Sequence, residues 1–347
     1  MQRSRYLPWF LVTVSLAMLV VVAFNAAADR IILNTPNGPS VETVPGFERV
    51  LKPAWLETVQ PDLVFVGSSR VRDGFDPVLV DPAFGVRSFN YGVSSITAYE
   101  ARRFAQDAAA HASVKTIVLA LDAFAGDAPG PTVGDGFDET RLAVGADGAA
   151  TPRRALWLFT TRYLSGGALG MHALGAYLLA QLKPHQTAAD RPDLFEAYAR
   201  MTAASMARDL RYRHDRAFHM LPPQREQFDA ILQAVCDRDL RLIAFFPPDR
   251  AEIQAVYEAT DGAGLAAFKR DVAADAQRHN AACRGKVAVV DFLQRSPLTT
   301  EPLTNGASGS YVDLVHVRPP AGLRLVRAML NPAQALGSLG RVLVSGR

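Results

Sequence analysis

The sequence predicts an α/β fold in which a mainly parallel sheet of five strands is covered by helices on both faces. Short apolar runs alternate with helix-like stretches, a pattern typical of parallel strands joined by crossover helices. The five predicted strands are Leu63–Val66, Val86–Tyr91, Thr116–Leu121, Leu240–Phe246 and Val287–Val290. The segment from Thr97 to Glu100 has the spacing of a capping box, which indicates where the helix after the second strand begins.

Composition limits the classes of function. The chain has 347 residues, of which 49% are hydrophobic and 20% charged, enough for one large domain with a substantial core. The net charge of +3 is small, and no basic stretch is interleaved with aromatic residues. The sequence also has no glycine-rich phosphate loop and no zinc-type cysteine and histidine spacing. We therefore expect no nucleic-acid partner, no metal and no cofactor.

The first thirty residues predict a membrane anchor. Arg3 and Arg5 precede an uncharged apolar span of 18 residues, Leu7–Phe24, which is at the lower limit for a helix that crosses a bilayer. The positive flank predicts a cytoplasmic N-terminus and an exported remainder, so we expect a single-pass inner-membrane protein with its catalytic domain in the periplasm. The alternative is a cleaved signal peptide, because Ala26–Ala28 resembles a small-residue cleavage site.

The domain organisation follows from shifts in composition. Residues 31–58 form a predicted linker, and 126–228 form a predicted helical insertion that caps the site. The expected parts are an anchor at 1–30, the linker, a catalytic domain at 59–125 and 229–335, the insertion, and a tail at 336–347. Within the insertion, Leu164–Leu182 predicts a buried or membrane-resting helix. The basic cluster Arg211–Arg216 with His219 is either a solvated helix face or a site for an anionic polymer.

The two cysteines also bear on the compartment. Cys236 and Cys283 each fall near the end of a predicted helix, just before a predicted strand. If those strands are neighbours, the two helix ends lie side by side and an exported chain could oxidise the pair. Two buried free thiols are the alternative.

Two short motifs near opposite ends of the chain suggest catalytic chemistry. The first strand ends in Gly67-Ser68-Ser69-Arg70, which presents a hydroxyl, and Asp313 lies three residues before His316. Together they could supply a nucleophile, a general base and a group that orients the base. Ser69, Gly92, Asp122 and the turn 247–250 all follow predicted strands, so they should share the ligand-binding rim of the sheet.

The order of these motifs resembles the SGNH (GDSL-like) hydrolase superfamily, and more closely its membrane-anchored, DltD-like branch associated with surface-polymer acylation. Ser69 matches the nucleophile position, Asp313 and His316 match the closing motif, and Ser88–Val93 looks like the second block. The resemblance covers residues 62–330 as scattered blocks. It implies a three-layer sandwich, a Ser-His-Asp triad, and the backbone N–H groups of Ser69 and Gly92 as oxyanion donors.

One block departs from that pattern. The third motif of the superfamily, Gly-x-Asn-Asp, should follow the third strand, yet Ala120 and Asp122 stand in place of its glycine and asparagine. An ionised carboxylate only accepts hydrogen bonds and would repel a developing oxyanion. We therefore expect Asp122 to pair with Arg70 or Arg72, or to hold an acceptor hydroxyl, with Arg70 and Asp122 as possible substrate-binding residues.

These observations predict a serine acyltransferase that transfers an acyl group, such as acetyl, to a cell-surface polysaccharide. A carbohydrate O-acetylesterase of the same fold is the close alternative. A third possibility is a catalytically silent scaffold that binds glycan or docks onto a membrane-bound acyltransferase partner. In that case Ser69 would only cap a helix, and Asp313 and His316 would form a local turn.

Overall fold

A computed structural model describes residues 6–33, 47–125, 133–151, 218–303 and 308–346. This part of the chain contains a mixed sheet of six strands and nine α-helices. The strands are β1 Leu63–Gly67, β2 Ser88–Gly92, β3 Thr116–Ala120, β4 Arg241–Phe246, β5 Val287–Asp291 and β6 Arg341–Val344. The helices are α1 Tyr6–Leu33, α2 Phe47–Val59, α3 Ser69–Gly74, α4 Pro77–Phe84, α5 Ala98–Ala110, α6 Pro222–Asp237, α7 Ala251–Ala282, α8 Pro319–Leu330 and α9 Pro332–Ala335.

The sheet has the order β2-β1-β3-β4-β5-β6. The first five strands in this order are parallel to their neighbours, whereas β6 is antiparallel to β5. The prediction of five strands was therefore incomplete, because β6 lies within 336–347, the predicted tail. Arg341 and Val342 are exposed in this short edge strand. Its sequence lacks the long apolar run of a central strand, and its conformation depends on the unpaired edge that β5 offers.

The sheet separates two apolar layers. In β1, Val64 and Val66 pack on one face against helices α2, α5, α6 and α7. Leu63 and Phe65 pack on the opposite face against α3, α4 and α8. Strands that are buried on both faces need apolar side chains at successive positions, which explains the continuous runs in the sequence.

Helix α5 begins with the predicted capping box, and Glu100 of this box also pairs with a residue of a neighbouring helix. The Thr97 hydroxyl accepts the Glu100 N–H at 3.1 Å, and the Glu100 carboxylate accepts the Thr97 N–H at 3.0 Å. The other Glu100 oxygen lies 2.6 Å from Nε of Arg49 on α2. This buried ion pair joins α2 to the start of α5, close to the rim where β2 ends.

Helix α1 is long and apolar enough to span a membrane over Tyr6–Ala27, which is 22 residues. Most side chains of this span are exposed rather than packed on the sheet, and Trp9 and Leu19 are examples. The helix continues past the apolar span predicted from the sequence and ends at Leu33. These properties are compatible with a single-pass anchor.

Cys236 and Cys283 form a disulfide, with their Cα atoms 5.2 Å apart. Cys236 lies in the last turn of α6, and Cys283 directly follows α7. Because β4 and β5 are neighbours in the sheet, the two helix ends meet at the amino ends of these strands. The alternative of two free thiols is therefore wrong.

The described residues of the predicted insertion pack against the sheet and its helices. Helix α6 crosses the predicted boundary after residue 228 and packs Phe228 and Ile231 into the core of the sheet. Within 133–151, the carbonyls of Val144 and Gly145 accept hydrogen bonds from the buried Arg103 of α5 at 2.6 and 2.9 Å. The predicted apolar helix at 164–182 and the basic run 211–216 lie outside the described residues.

Candidate active site

The turn after β1 places Ser69 at the carboxyl end of the sheet. Ser68 is the N-cap of α3, and its hydroxyl accepts the Arg70 N–H at 3.2 Å. Ser69 is the first residue of α3 and is not the cap, so its hydroxyl is not used in capping. A Cβ at Gly67 would lie 2.5 Å from Cγ2 of Val71, and therefore only glycine allows this close return of the chain.

The closing motif folds into a tight loop that presents His316. Asp313 Oδ1 accepts the N–H groups of Val315 and His316, both at 2.8 Å. Its Oδ2 lies 2.6 Å from His316 Nδ1, and His316 Nε2 lies 2.7 Å from Ser69 Oγ. The loop is closed at its base, where the Val312 N–H donates to the His316 carbonyl at 2.8 Å. Three side chains from two remote segments therefore form one hydrogen-bonded chain.

Electrostatics favours the charged forms of Asp313 and His316. Burial opposes charge on each group, but their mutual hydrogen bond and attraction outweigh it. The pKa of Asp313 is consequently lowered and the pKa of His316 is raised. Both side chains keep about a fifth of their surface exposed, so small molecules can reach the imidazole.

Gly92 is at the rim as predicted, and its N–H donates a hydrogen bond within its own strand. It donates to Oδ1 of Asn90 at 2.9 Å. The N–H group that was expected to bind an oxyanion is therefore already engaged by the side chain two residues earlier. A Cβ at Gly92 would lie 2.4 Å from the Arg72 nitrogen, so the glycine is required for close approach of the two backbones. Of the predicted pair of donors, the Ser69 N–H remains.

Asn90 was not singled out from the sequence, yet it fixes the position of α3. The two hydrogens on its Nδ2 are shared among the carbonyls of Val71, Arg72 and Phe75, at 2.9, 3.1 and 2.6 Å. These contacts join β2 to the short helix that carries the serine. The sequence signal was weak, because Asn90 lies inside a predicted strand, where side-chain direction depends on register.

Asp122, which follows β3, contacts the residues on both sides of Ser69. Its Oδ2 accepts a short hydrogen bond from the Ser68 hydroxyl and lies 3.7 Å from Nε of Arg70. The expected pairing with Arg70 is therefore present. Arg72 does not pair with Asp122; it lies 2.8 Å from Glu48 and 2.5 Å from Asp73.

Arg70 is held on its other side by Asp249, in the turn after β4. The two Nη atoms of Arg70 lie 3.1 and 3.4 Å from the Asp249 oxygens, and the Tyr257 hydroxyl donates to Asp249 at 2.7 Å. Burial acts to lower the pKa of Arg70, but the two carboxylates outweigh it and raise this pKa. The sequence placed the turn at the rim, whereas nothing in it indicated the part played by Tyr257.

Among the residues that the structure describes, no group of three or more histidine, cysteine, aspartate or glutamate side chains could hold a metal ion. The chemistry that this rim can support with its own side chains is proton transfer between a hydroxyl and a carboxylate-bound imidazole.

No protein-family model matches the chain. No curated protein matches it either. One similar solved structure comes from Streptococcus pneumonia and is described as a proposed platelet activating factor. The two chains are 13% identical, the similarity covers 93% of this chain and 98% of that chain, and the TM-score is 0.31. A similarity this distant assigns no activity to the chain.

Proposed function

We propose that this protein is a membrane-anchored serine acyl-transfer enzyme in which Ser69 is the nucleophile. The observation that carries the proposal is the 2.7 Å contact between Ser69 Oγ and His316 Nε2. The imidazole is itself oriented by Asp313 at 2.6 Å. A serine that merely caps a helix has no need of an imidazole held in this way, and the capping at this turn is done by Ser68.

In the first half-reaction, Ser69 Oγ attacks the acyl carbonyl carbon and its proton moves to His316 Nε2. A new C–O bond forms, and the carbonyl oxygen becomes an oxyanion that the Ser69 N–H stabilises. Asp313 accepts the Nδ1–H and stabilises the imidazolium. The tetrahedral intermediate then breaks its bond to the leaving alcohol, which takes the proton from His316 and leaves an acyl-serine ester.

The second half-reaction reverses these steps with a new hydroxyl. The acceptor gives its proton to His316 as its oxygen attacks the acyl-serine carbonyl, and Ser69 recovers that proton when its ester bond breaks. A sugar hydroxyl as acceptor gives O-acylation of a polysaccharide, whereas water gives hydrolysis. We propose transfer of an acyl group such as acetyl to a cell-surface polysaccharide, because the motif order resembles the polymer-acylation branch of the SGNH superfamily.

Two features support a site outside the cytoplasm. Helix α1 is long enough to anchor the chain, and the positive residues before it favour a cytoplasmic N-terminus. The Cys236–Cys283 disulfide is of a kind that persists in oxidising compartments. We place the anchor in the inner membrane and the catalytic domain in the periplasm of a Gram-negative cell.

Hydrolysis is the second candidate, and one observation favours it. His316 and Asp313 are 22% and 23% exposed, so water can reach the imidazole that would activate it. An O-acetylesterase would use the same three residues and the same first half-reaction. The two candidates differ only in which hydroxyl enters the second step.

Labelling with a serine-directed fluorophosphonate tests the proposal. Wild-type protein should form an adduct that mass spectrometry locates on Ser69, and Ser69→Ala should abolish it. Ser88→Ala is the matched control, because Ser88 is a buried serine at the amino end of β2 and contacts Asp81. This control should label normally. A wild-type protein that is not labelled at Ser69 would falsify the catalytic proposal and leave the scaffold alternative.

The fate of the acyl group separates transfer from hydrolysis. Wild-type protein is incubated with an activated acetate ester and a neutral oligosaccharide, and the products are followed by mass spectrometry. Acetyl groups on the sugar indicate a transferase, whereas free acetate in the presence of excess sugar indicates an esterase. Ser69→Ala gives the background rate for both products.

A further inference from the structure

The charges next to Ser69 are unbalanced. Arg70 is the one cation in a group that we call the Arg70 cluster, which consists of Arg70, Asp122 and Asp249. Its guanidinium is shared between the two carboxylates. The side chains are 12%, 14% and 1% exposed, so solvent screens them little. The cluster therefore carries one more negative charge than positive charge.

Within this cluster, a ligand can approach Asp122 but not Asp249. The Asp249 side chain is only 1% exposed, and it also accepts a hydrogen bond from the Tyr257 hydroxyl. Asp122 keeps 14% of its side chain exposed. Its Oδ1 is buried and has no hydrogen-bond partner among the described residues, while its Oδ2 receives the Ser68 hydroxyl. Because Oδ1 is buried, a ligand beside Ser69 would sense the charge of Asp122 rather than contact this oxygen, and a cation there would reduce the cost of the partly compensated carboxylate.

The other charges around the serine reduce this imbalance but do not remove it. Lys269 attracts Asp249, and together with Arg341 it outweighs the one carboxylate, Asp291, that these two cations share. Arg72 is shared between Glu48 and Asp73. Lys52 attracts Glu48, and so brings that second group to neutrality. Asp313 adds a further carboxylate beside His316. With a neutral imidazole, as the general base requires, the described residues around Ser69 carry an excess of negative charge.

From this imbalance we propose that Asp122 is a specificity residue that selects the alcohol side of the ester. The leaving or accepting group beside Ser69 would be a neutral hydroxyl compound or a cationic one, such as a neutral sugar or an amino sugar. Carboxylate-bearing groups such as uronic acids are disfavoured by repulsion. The inference rests on the proposed function, because it concerns the same acyl-transfer site.

Three acetate esters that share one acyl group test this inference. Their leaving groups are 4-hydroxybenzoate (anionic), its methyl ester (neutral) and 4-(trimethylammoniomethyl)phenol (cationic). Each kcat/KM is divided by the rate of hydroxide-catalysed hydrolysis, which removes differences in leaving-group reactivity. We expect the anionic ester to be about tenfold poorer than the neutral and cationic esters, as for charges a few ångströms apart in a protein-like dielectric.

Asp122→Asn removes the charge and keeps the shape. In this variant the corrected kcat/KM of the neutral ester divided by that of the anionic ester should fall from about ten to about three or less. The reason is that the remaining Arg70 and Asp249 charges balance. Asp239→Asn is the matched control, because Asp239 is 62% exposed and pairs with Lys286 before the amino end of β4. The control should leave the ratio unchanged.

Salt provides a second measurement that needs no variant. In wild-type protein the ratio should shrink only in part as NaCl rises from about 0.05 to 1 M, because the Debye length falls to about 3 Å but the cluster is largely buried. The inference is overturned if wild-type protein uses the anionic ester as well as the others, or if Asp122→Asn leaves the ratio intact. If wild-type protein turns over none of the three esters faster than Ser69→Ala does, the proposed function fails and the inference fails with it.

Discussion

Gly322 of α8 meets the backbone of Gly74 at the end of α3 with no room for a side chain. A Cβ on Gly322 would lie 1.8 Å from the Gly74 carbonyl oxygen. Gly74 is equally constrained, since its own Cβ would lie 2.7 Å from Cγ2 of Val317. Helix α3 begins with Ser69, and α8 directly follows the loop of His316. This backbone contact therefore helps to set the distance between hydroxyl and imidazole.

We expect Gly322→Ala to separate the two segments. The obstructing atom is a backbone oxygen, which cannot rotate away, so the free energy of unfolding should fall by about 2 kcal/mol or more. Labelling of Ser69 by fluorophosphonate should slow at least about tenfold, because displacement of the base removes its share of catalysis. Urea unfolding and labelling kinetics measure these two effects.

The control for this change is Gly262→Ala in α7. A Cβ at Gly262 has nothing within 4 Å, so the substitution should cost little or increase stability. If Gly322→Ala labels as fast as Gly262→Ala, the contact between Gly322 and Gly74 does not position the serine.

Asn90→Asp should weaken the site through the backbone. The carboxylate keeps the shape of Asn90 but cannot donate a hydrogen bond. The carbonyls of Val71, Arg72 and Phe75 therefore lose the donor that they share. We expect a loss of about 1–3 kcal/mol in unfolding free energy and at least a tenfold fall in the rate of Ser69 labelling. Circular dichroism in urea and labelling kinetics give these values.

Asn280→Asp is the matched control for Asn90→Asp. The Asn280 side chain donates to the Val287 carbonyl at 2.8 Å and accepts its N–H at 2.8 Å, at the opposite end of the sheet. It should lose stability but label normally. Equal effects of both variants on labelling would show that Asn90 acts only through global stability.

The rate of acyl transfer should depend on the protonation of His316. Only the neutral imidazole can accept the Ser69 proton, so kcat/KM should rise with pH. The midpoint of this pH profile should lie above 6.5, the ordinary pKa of histidine, because Asp313 raises the pKa of His316. The pH profile of activated-ester turnover and NMR titration of the imidazole measure this midpoint.

Asp313→Asn tests the cause of that shift. The amide removes the negative charge, so the pKa of His316 should fall, and kcat should fall by about 10³-fold or more as the imidazole loses its orientation and stabilisation. The hypothesis is contradicted if the midpoint of the pH profile is unchanged in this variant.

The disulfide should stabilise the fold without affecting the site. Cys236 and Cys283 are 47 residues apart in sequence, and a loop of this length corresponds to about 4 kcal/mol in the chain-entropy description. The double change Cys236→Ser and Cys283→Ser should therefore lower unfolding free energy by up to about 4 kcal/mol. Below its melting temperature the variant should label Ser69 at the wild-type rate, because the bond lies at the amino ends of the strands. A slowed reaction in fully folded variant would contradict this separation.

Much of the architecture could be predicted because its causes are local. All five predicted strands are present, with ends within two residues of the prediction. Their continuous apolar runs reflect burial on both faces, and the capping box at Thr97 depends only on residues three apart. The convergence of Ser69, Asp122 and the turn after β4 on one rim follows from parallel strands, whose carboxyl ends point the same way.

The details that the sequence did not indicate depend on contacts between different strands and helices. Strand β6 exists because β5 leaves an edge unpaired, which its own four residues do not reveal. The Gly92 N–H is engaged because Asn90 turns its carboxamide back toward its own strand and α3. The choice of Asp249 as the second partner of Arg70 depends on the β3–β4 pairing, and so could not be predicted from spacing.

The amino-acid sequence alone was enough to predict the apolar N-terminal helix, the alternation of strands and helices, and the two motifs that carry the hydroxyl and the imidazole. These depend on hydropathy and on short-range hydrogen bonding, which neighbouring residues specify. Three features of the site could be seen only in the folded chain: Ser69 Oγ lies 2.7 Å from His316 Nε2, the Gly92 N–H is engaged, and Arg70 contacts two carboxylates. The first and third depend on sheet order and close backbone packing, which bring together atoms that are remote along the chain. The Gly92 contact is short in sequence, but the same Asn90 side chain also bonds α3, which the packing places beside it.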